Sequence, residues 1–208
     1  MLACAVPAKC EHVGRSVRLA PLTSSHSLDL WRVAQDADES WTYLGYGPFG
    51  SFEEFVEHVS KLSNMADQPF FAVLPEGEKA LGWVSYCDIE PHNGALEIGS
   101  IWFSPTLQRT KAATEALYLL LDHAFTEGFQ RVAWRCNALN QQSRKAAARL
   151  GFVYEGTWRK AQIVKGHWRD TSWYSQLATE WASNKLLFDR WLEDANFDDA
   201  GRQLSRLR

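Results

Sequence analysis

Six consecutive residues, Gln108-Arg109-Thr110-Lys111-Ala112-Ala113, offer the clearest chemistry in the sequence. They stand where a strand-like run, EIGSIWF, gives way through Ser104-Pro105 to a helical pattern. The first turn of a helix presents backbone N–H groups that have no acceptor within the helix, at the positive end of its dipole. Arg109 and Lys111 add two cations there, and the small Ala112 and Ala113 let a ligand approach the backbone. Such a turn suits a diphosphate. Any strand–turn–helix junction shares the bare geometry, so an ordinary helix start is the competing reading. The stretch is not a Walker loop, because it lacks GK[ST], nor a dinucleotide fingerprint, because GxGxxG is absent.

A second constellation, NQQSRKAAARLGF over 140–152, lies one strand later. Asn140 suits a helix N-cap with Ser143 in the first turn, and Gly151 suits the C′ position. Ser143 sits in no GxSxG elbow, so a hydrolase triad is not expected. Cys136 closes a strand-like run and reads as a small core residue rather than a nucleophile. The four cysteines, Cys4, Cys10, Cys87 and Cys136, form no CxxC pair, which argues against structural zinc and for a reducing compartment.

The elements that must position these residues follow from periodicity and turn chemistry. Residues 16–22 alternate as a strand, and 24–35 read as a helix on Leu28, Trp31 and Ala34. An aromatic, glycine-rich loop spans 40–50. Ser51 and Glu54 then have capping-box spacing ahead of the stripe Phe52, Phe55, Val56 and Val59. Residues 69–74, 79–89 and 94–103 read as a meander with turns at Glu76-Gly77 and Asn93-Gly94. A helix over 110–127, a strand over 131–136 and a helix over 141–150 come next. A hairpin about Lys165-Gly166 follows, then a tail whose Trp181, Phe188, Trp191 and Leu192 recur at helical spacing and pack back. A chain of 208 residues suits one domain burying about 70% of its unfolded surface. The net charge of 22 − 25 = −3 offers no basic face for nucleic acid, and no apolar run reaches the ~20 residues of a membrane span. The start, MLACAVPAKC, lacks the basic leader and apolar core of a signal peptide.

Taken in order, IWF, Pro105, Gln108-Arg109-Thr110, the next strand and the Asn-x-x-Ser…Gly-Phe helix resemble the GNAT acetyltransferases. The openings VRLAPL, RTKAATEALYLLLDHAF, NQQSRKAAARLGF and GHWRDTSWYS have the look of the RimJ/RimL-type branch, over nearly the whole chain. The family's turn reads Gln/Arg-x-x-Gly-x-Gly/Ala. Gln108 and Ala113 match it, and Lys111 stands at the first glycine. A lysine is tolerable there if residue 111 is already helical with negative φ.

The resemblance implies an α/β (α+β) GNAT fold. Its central sheet is mixed, mostly antiparallel and seven-stranded, with a splayed parallel pair, flanking helices and a C-terminal helical tail. It implies a flexible segment over 1–12, an acetyltransferase domain over 13–180 and a helical extension over 181–208 packed on it. Acetyl-CoA would be the cosubstrate, with no metal. Its diphosphate would meet residues 108–113, and its pantetheine arm would lie between the strand ending at Phe103 and the strand 131–136. Backbone groups of Ile101 and Phe103 would pair with the pantetheine amides, and an N–H near Trp102 or Phe103 would polarise the thioester carbonyl. Asn140 and Ser143 would also face the cofactor.

The tyrosine that many relatives use as an acid, seven residues after the Asn, is Ala147 here. In the RimJ/RimL branch Ser143 would hydrogen-bond the sulfur instead; the alternative is a first-turn serine serving only the helix end. Glu97 is the candidate base, directly or through a water, against the plainer reading of a surface carboxylate. Trp41, Tyr43, Tyr46 and Tyr86 are candidates to line the acceptor site, with core packing an equal reading for Trp41. The expected function is a cytoplasmic N-acetyltransferase acting on a primary amine, without nucleic-acid or membrane partners, as monomer or homodimer. A non-catalytic acyl-CoA-binding module is the rival.

Overall fold

The computed structural model describes residues 4–75 and 79–208, so the turn expected at Glu76-Gly77 lies outside the described residues. Two compact units interleave along the chain. The first holds Val6–Ile89 and Ile98–Leu120, and the second holds Glu90–Glu97 and Leu121–Arg208 together with Cys4 and Ala5.

The strands are β1 (His12–Val13), β2 (Val17–Pro21), β3 (Phe70–Pro75), β4 (Gly82–Glu90), β5 (Ala95–Phe103), β6 (Arg131–Asn137), β7 (Val153–Val164) and β8 (His167–Leu177). They hydrogen-bond in the order β1-β2-β3-β4-β5-β6-β8-β7, an open mixed sheet whose parallel pair is β5–β6. Among the described residues five α-helices flank it: α1 (Ser27–Ala34), α2 (Phe52–Ser63), α3 (Lys111–Thr126), α4 (Gln141–Leu150) and α5 (Ala178–Trp191). The sheet has one strand more than the seven expected. The extra strand is β1, where His12 and Val13 pair with Leu19 and Arg18; two residues are too few to show alternation. No helix among the described residues is long and apolar enough to cross a membrane.

In the first unit, Ser51 caps α2 by accepting the Glu54 N–H at 3.2 Å, and the Glu54 carboxylate returns to the Gly50 N–H at 3.0 Å. Phe55, Val59 and Leu62 of α2 are buried. α1 buries Ala34 and packs Trp31 against the core as expected, but Leu30 rather than Leu28 completes that face, and Leu28 is 49% exposed. The core holds three tryptophans. Trp41 stacks on Trp102 with centroids 4.4 Å apart and planes 13° apart, and Trp83 lies 4.8 Å from Trp102. Burial of such a ring withdraws roughly 200 Å² from water, a contribution of several kcal/mol.

Close packing at this point requires a glycine. A Cβ on Gly82 would stand 2.4 Å from the Trp102 carbonyl oxygen and 3.0 Å from the Phe103 Cα, both backbone atoms. Gly82→Ala is therefore expected to destabilise the protein by about 2 kcal/mol. Urea unfolding checks this, and an unchanged midpoint would contradict it.

In the second unit, β5 and β6 run parallel over Ala95–Glu97 and Arg131–Ala133, and β8 lies antiparallel to β6 along its full length. Lys165 and Gly166 join β7 to β8 with φ of 47° and 78°. Two successive positive φ values define the tight hairpin turn that matches strand twist. α4 ends at Gly151 with φ 96°, in the left-handed conformation of a C-terminal glycine. Trp181, Phe188 and Trp191 of α5 are buried, and Trp181 stacks on Phe125 at 5.2 Å.

Candidate active site

The turn after β5 is held almost entirely by its own hydrogen bonds. The Ser104 carbonyl accepts the N–H groups of Leu107 (2.9 Å) and Gln108 (3.0 Å), and the Gln108 amide donates to the Phe103 carbonyl at 2.9 Å. The Thr110 hydroxyl donates to the Leu107 carbonyl at 2.7 Å and accepts the Ala113 N–H at 3.0 Å, so Thr110 caps α3. Lys111 is the first residue of that helix, and its φ is not positive. The left-handed conformation falls two residues earlier, on Arg109, with φ 64°. The backbone thus needs no glycine at 111. Ala112 and Ala113 are both buried.

Just upstream, Ser100 has φ 49°, which interrupts the regular backbone of β5. A polar knot fixes this kink. Gln68 Nε2 donates to Ser85 Oγ and Ser100 Oγ, each at 2.9 Å, and Ser85 Oγ donates to the Gly99 carbonyl at 3.0 Å. The Trp102 indole N–H donates to Ser40 Oγ at 2.9 Å. The Ile101–Phe103 backbone is therefore fixed from both sides. Nothing local marks Gln68, Ser85 or Ser100 in the sequence, because their pairing spans 14 to 32 residues.

Of the four aromatic acceptor candidates, Trp41 and Tyr86 are buried, and the Tyr86 hydroxyl donates to the Leu120 carbonyl at 2.6 Å. Tyr43 and Tyr46 are half-buried. The Tyr46 hydroxyl accepts the Trp83 indole N–H at 3.3 Å, and burial pushes its pKa up to about 12. His58 of α2 lies 4.3 Å from the Tyr46 ring and 4.8 Å from Phe49, with Nε2 buried and unpartnered. Burial, with Lys61 adding to it, lowers its pKa to about 4.

This ring has a consequence for stability. Its folded pKa lies below its ordinary 6.5, so the unfolded chain binds more protons between pH 6.5 and about 4. The stabilisation is complete above pH 6.5 and is lost as pH falls through that window. Discounted for partial exposure, the loss is about 1–2 kcal/mol. His58→Phe is expected to lose less stability than the parent between pH 7 and pH 5 in urea unfolding. Equal losses would contradict this.

In the second unit, Asn140 Oδ1 accepts the Ser143 N–H at 3.0 Å, capping α4. Ser143 Oγ accepts the Trp134 indole N–H, also at 3.0 Å. A hydroxyl that accepts from an indole keeps its own hydrogen to donate. Cys136 is buried, and that burial raises its thiol pKa while a hydrogen bond with Ser143 opposes the shift. Ala147, where many relatives carry tyrosine, is fully buried. Glu97 is only 5% exposed and is ion-paired to the Arg135 Nε–H. The Arg135 guanidinium also lies 4.9 Å from the centre of the Trp173 ring.

These elements coincide with a known domain. The family described as "Acetyltransferase (GNAT) domain" matches residues 16–153, well over half of the chain. The chain belongs to the GNAT acetyltransferase family. A GCN5-related N-acetyltransferase from Brucella melitensis is 38% identical with a TM-score of 0.96, covering 99% of this chain and 95% of that one. A probable GNAT-family acetyltransferase from Chromobacterium violaceum is 37% identical, with a TM-score of 0.83 over 88% of this chain and 93% of that one. The ribosomal-protein-serine acetyltransferase of Escherichia coli is 25% identical over 171 residues, 79% of this chain and 94% of that protein.

Against the GNAT frame, three residues escaped sequence reasoning. His58 sits inside the apolar stripe of α2 and reads there as one more packed residue. Arg135 and Arg169 recur at odd positions of RVAWRC and HWRDTSWYS, and that period of two is the one signal of a polar sheet face that was available.

Proposed function

We propose that this GNAT acetyltransferase transfers the acetyl group of acetyl-CoA to a primary amine by direct attack in a ternary complex. The observation that carries this reading is the match to the acetyltransferase domain over residues 16–153. The donor chemistry of the α3 start supports it: the first-turn amides of Lys111 and Ala112, with the cations of Arg109 and Lys111, suit a diphosphate. Gln108 and Thr110 shape that turn, and the buried Ala112 and Ala113 pack its inner side. The backbone of Ile101, Trp102 and Phe103 is the proposed partner of the pantetheine arm.

Ser143, held by Asn140 and Trp134, is the proposed donor to the leaving sulfur. Glu97 is the proposed base, acting through a water. Its partner in the structure is Arg135, and an amine that needs little help in losing a proton suits a base held in such a pair. An α-amine has a pKa near ~8 and is about one-tenth neutral at pH 7, far more than a lysine near ~10.4. The Escherichia coli relative is named as an acetyltransferase of serine in a ribosomal protein. Tyr43 and Tyr46 are the proposed acceptor-side aromatics, with Trp41 packed edge-on against Tyr46 as support; Tyr86, whose hydroxyl is bonded to α3, lies outside that cluster. Action in the cytoplasm is part of the same proposal.

The test is thiol release from acetyl-CoA with a panel of amines, read with mass spectrometry of the acceptors. Acetylated product from at least one primary amine is the expected result. Acetyl-CoA binding with no transfer to any amine would favour a non-catalytic module.

A further inference from the structure

Within the second unit, directly opposed residues of neighbouring strands share a sheet face. The register sets Arg135 of β6 opposite Trp173 of β8, and Trp158 of β7 opposite Thr171. Along β8, the side chains of Arg169, Thr171 and Trp173 follow at alternate positions on that face. All three leave a polar atom buried without a partner: Arg169 Nε, Thr171 Oγ1 and Trp173 Nε1. Thr171 is only 3% exposed. The arginine and indole nitrogens can only donate, and the hydroxyl can do so. Orphaned buried donors are rare enough that a row of three on one strand calls for a ligand rich in acceptors.

The charges of this face point the same way. Arg131 is matched by Glu155 through two hydrogen bonds of 2.7 and 2.5 Å, and Arg135 is matched by Glu97. Arg169 makes no ion pair among the described residues. Burial lowers its pKa, with Arg135 adding to that and Cys136 and Glu97 opposing it, yet a guanidinium remains charged at neutral pH. Three guanidinium groups thus share two carboxylates, a net excess of one half-buried positive charge that an anion relieves. Glu97, the proposed base, reaches the same face through Arg135.

We propose that Arg169, Thr171 and Trp173 bind the acceptor, and that the acceptor is an amine accompanied by a carboxylate. This rests on the acetyltransferase reading above. A single excess charge matches a monoanion, whereas a phosphoryl dianion would stay half-compensated. Arg169 and Trp173 are about 13 Å apart along the strand, more than a carboxylate spans. Arg169 takes the carboxylate, and the other two donors take further oxygens along the same molecule.

The test uses the full chain, acetyl-CoA and matched amine pairs: free amino acids against their carboxamides, and tripeptides with Glu against Gln at the second position. The acid of a pair is expected to exceed its neutral twin in kcat/KM by about tenfold or more, the scale of one charge-assisted hydrogen bond. The arm in which this happens separates a free amino acid from a peptide as the source of the carboxylate. Arg169→Gln is expected to abolish the preference, and Arg169→Lys to keep part of it, with acetyl-CoA affinity by calorimetry unchanged in both. Trp173→Phe, a milder change that deletes one N–H and keeps a ring, is expected to lower kcat/KM for the acid several-fold. Parity in both arms, a preference that survives Arg169→Gln, or no turnover of any pair while acetyl-CoA still binds would overturn the inference. Failure to bind acetyl-CoA at all would instead remove the proposed function, and the inference with it.

Discussion

Ser143→Ala is expected to lower kcat about a hundredfold while leaving the affinity for acetyl-CoA nearly unchanged. The Trp134 indole occupies one lone pair of the Ser143 oxygen, and the Asn140 cap fixes the residue at the start of α4. The hydroxyl hydrogen is thereby aimed away from Trp134, toward the Cys136 thiol with which it hydrogen-bonds, and a sulfur that is gaining negative charge competes with that neutral thiol for it. A thiol has an ordinary pKa near ~8.5, so a departing thiolate gains from a donor held in place. Loss of the hydroxyl also strands the Trp134 N–H, a stability cost of about 1 kcal/mol that thermal unfolding measures separately. Steady-state rates across pH 6 to 9 decide the matter. Full kcat throughout would reduce Ser143 to a residue of the helix end.

Arg135→Ala is expected to destabilise the protein by about 3–5 kcal/mol. Glu97 is nearly sealed from solvent, and the change strips its carboxylate of the guanidinium that neutralises it. The Trp173 ring loses its stacked cation at the same time. The double variant Arg135→Met, Glu97→Gln removes both charges and is expected to recover most of the loss. Urea unfolding of the parent, the single and the double variants checks this. A single variant within 1 kcal/mol of the parent would mean that water, not Arg135, solvates Glu97.

The elements set by short-range chemistry were legible before the structure was known. Ser51 and Glu54 marked the start of α2, Asn140 and Gly151 bracketed α4, and Lys165-Gly166 marked the hairpin. Each rests on contacts within a few residues. Long-range pairing left no such trace. Glu115, on the polar-looking second turn of α3, is 2% exposed and accepts the N–H groups of Arg15 and Ser16, each at 2.7 Å. The Trp41–Trp102 stack joins a loop to a strand 61 residues away, so aromatic composition alone could not decide between core and acceptor site. The left-handed residues Arg109 and Ser100 are equally hidden, since neither is a glycine and each is held by its surroundings rather than by its own preference. The same holds for the candidate site. Its α3 turn and Asn140–Ser143 pair were readable as motifs, but the donor row on β8 emerged only with the strand register.

The diphosphate grip at the start of α3 is tested most directly by paired calorimetric titrations with acetyl-CoA and with acetyl-pantetheine, which shares the thioester arm and lacks the diphosphate. Acetyl-CoA is expected to bind at least a hundredfold more tightly, with the gap narrowing on Lys111→Ala and Arg109→Ala and on raising salt. Equal affinities for the two, unaffected by salt, would mean that residues 108–113 hold no phosphate.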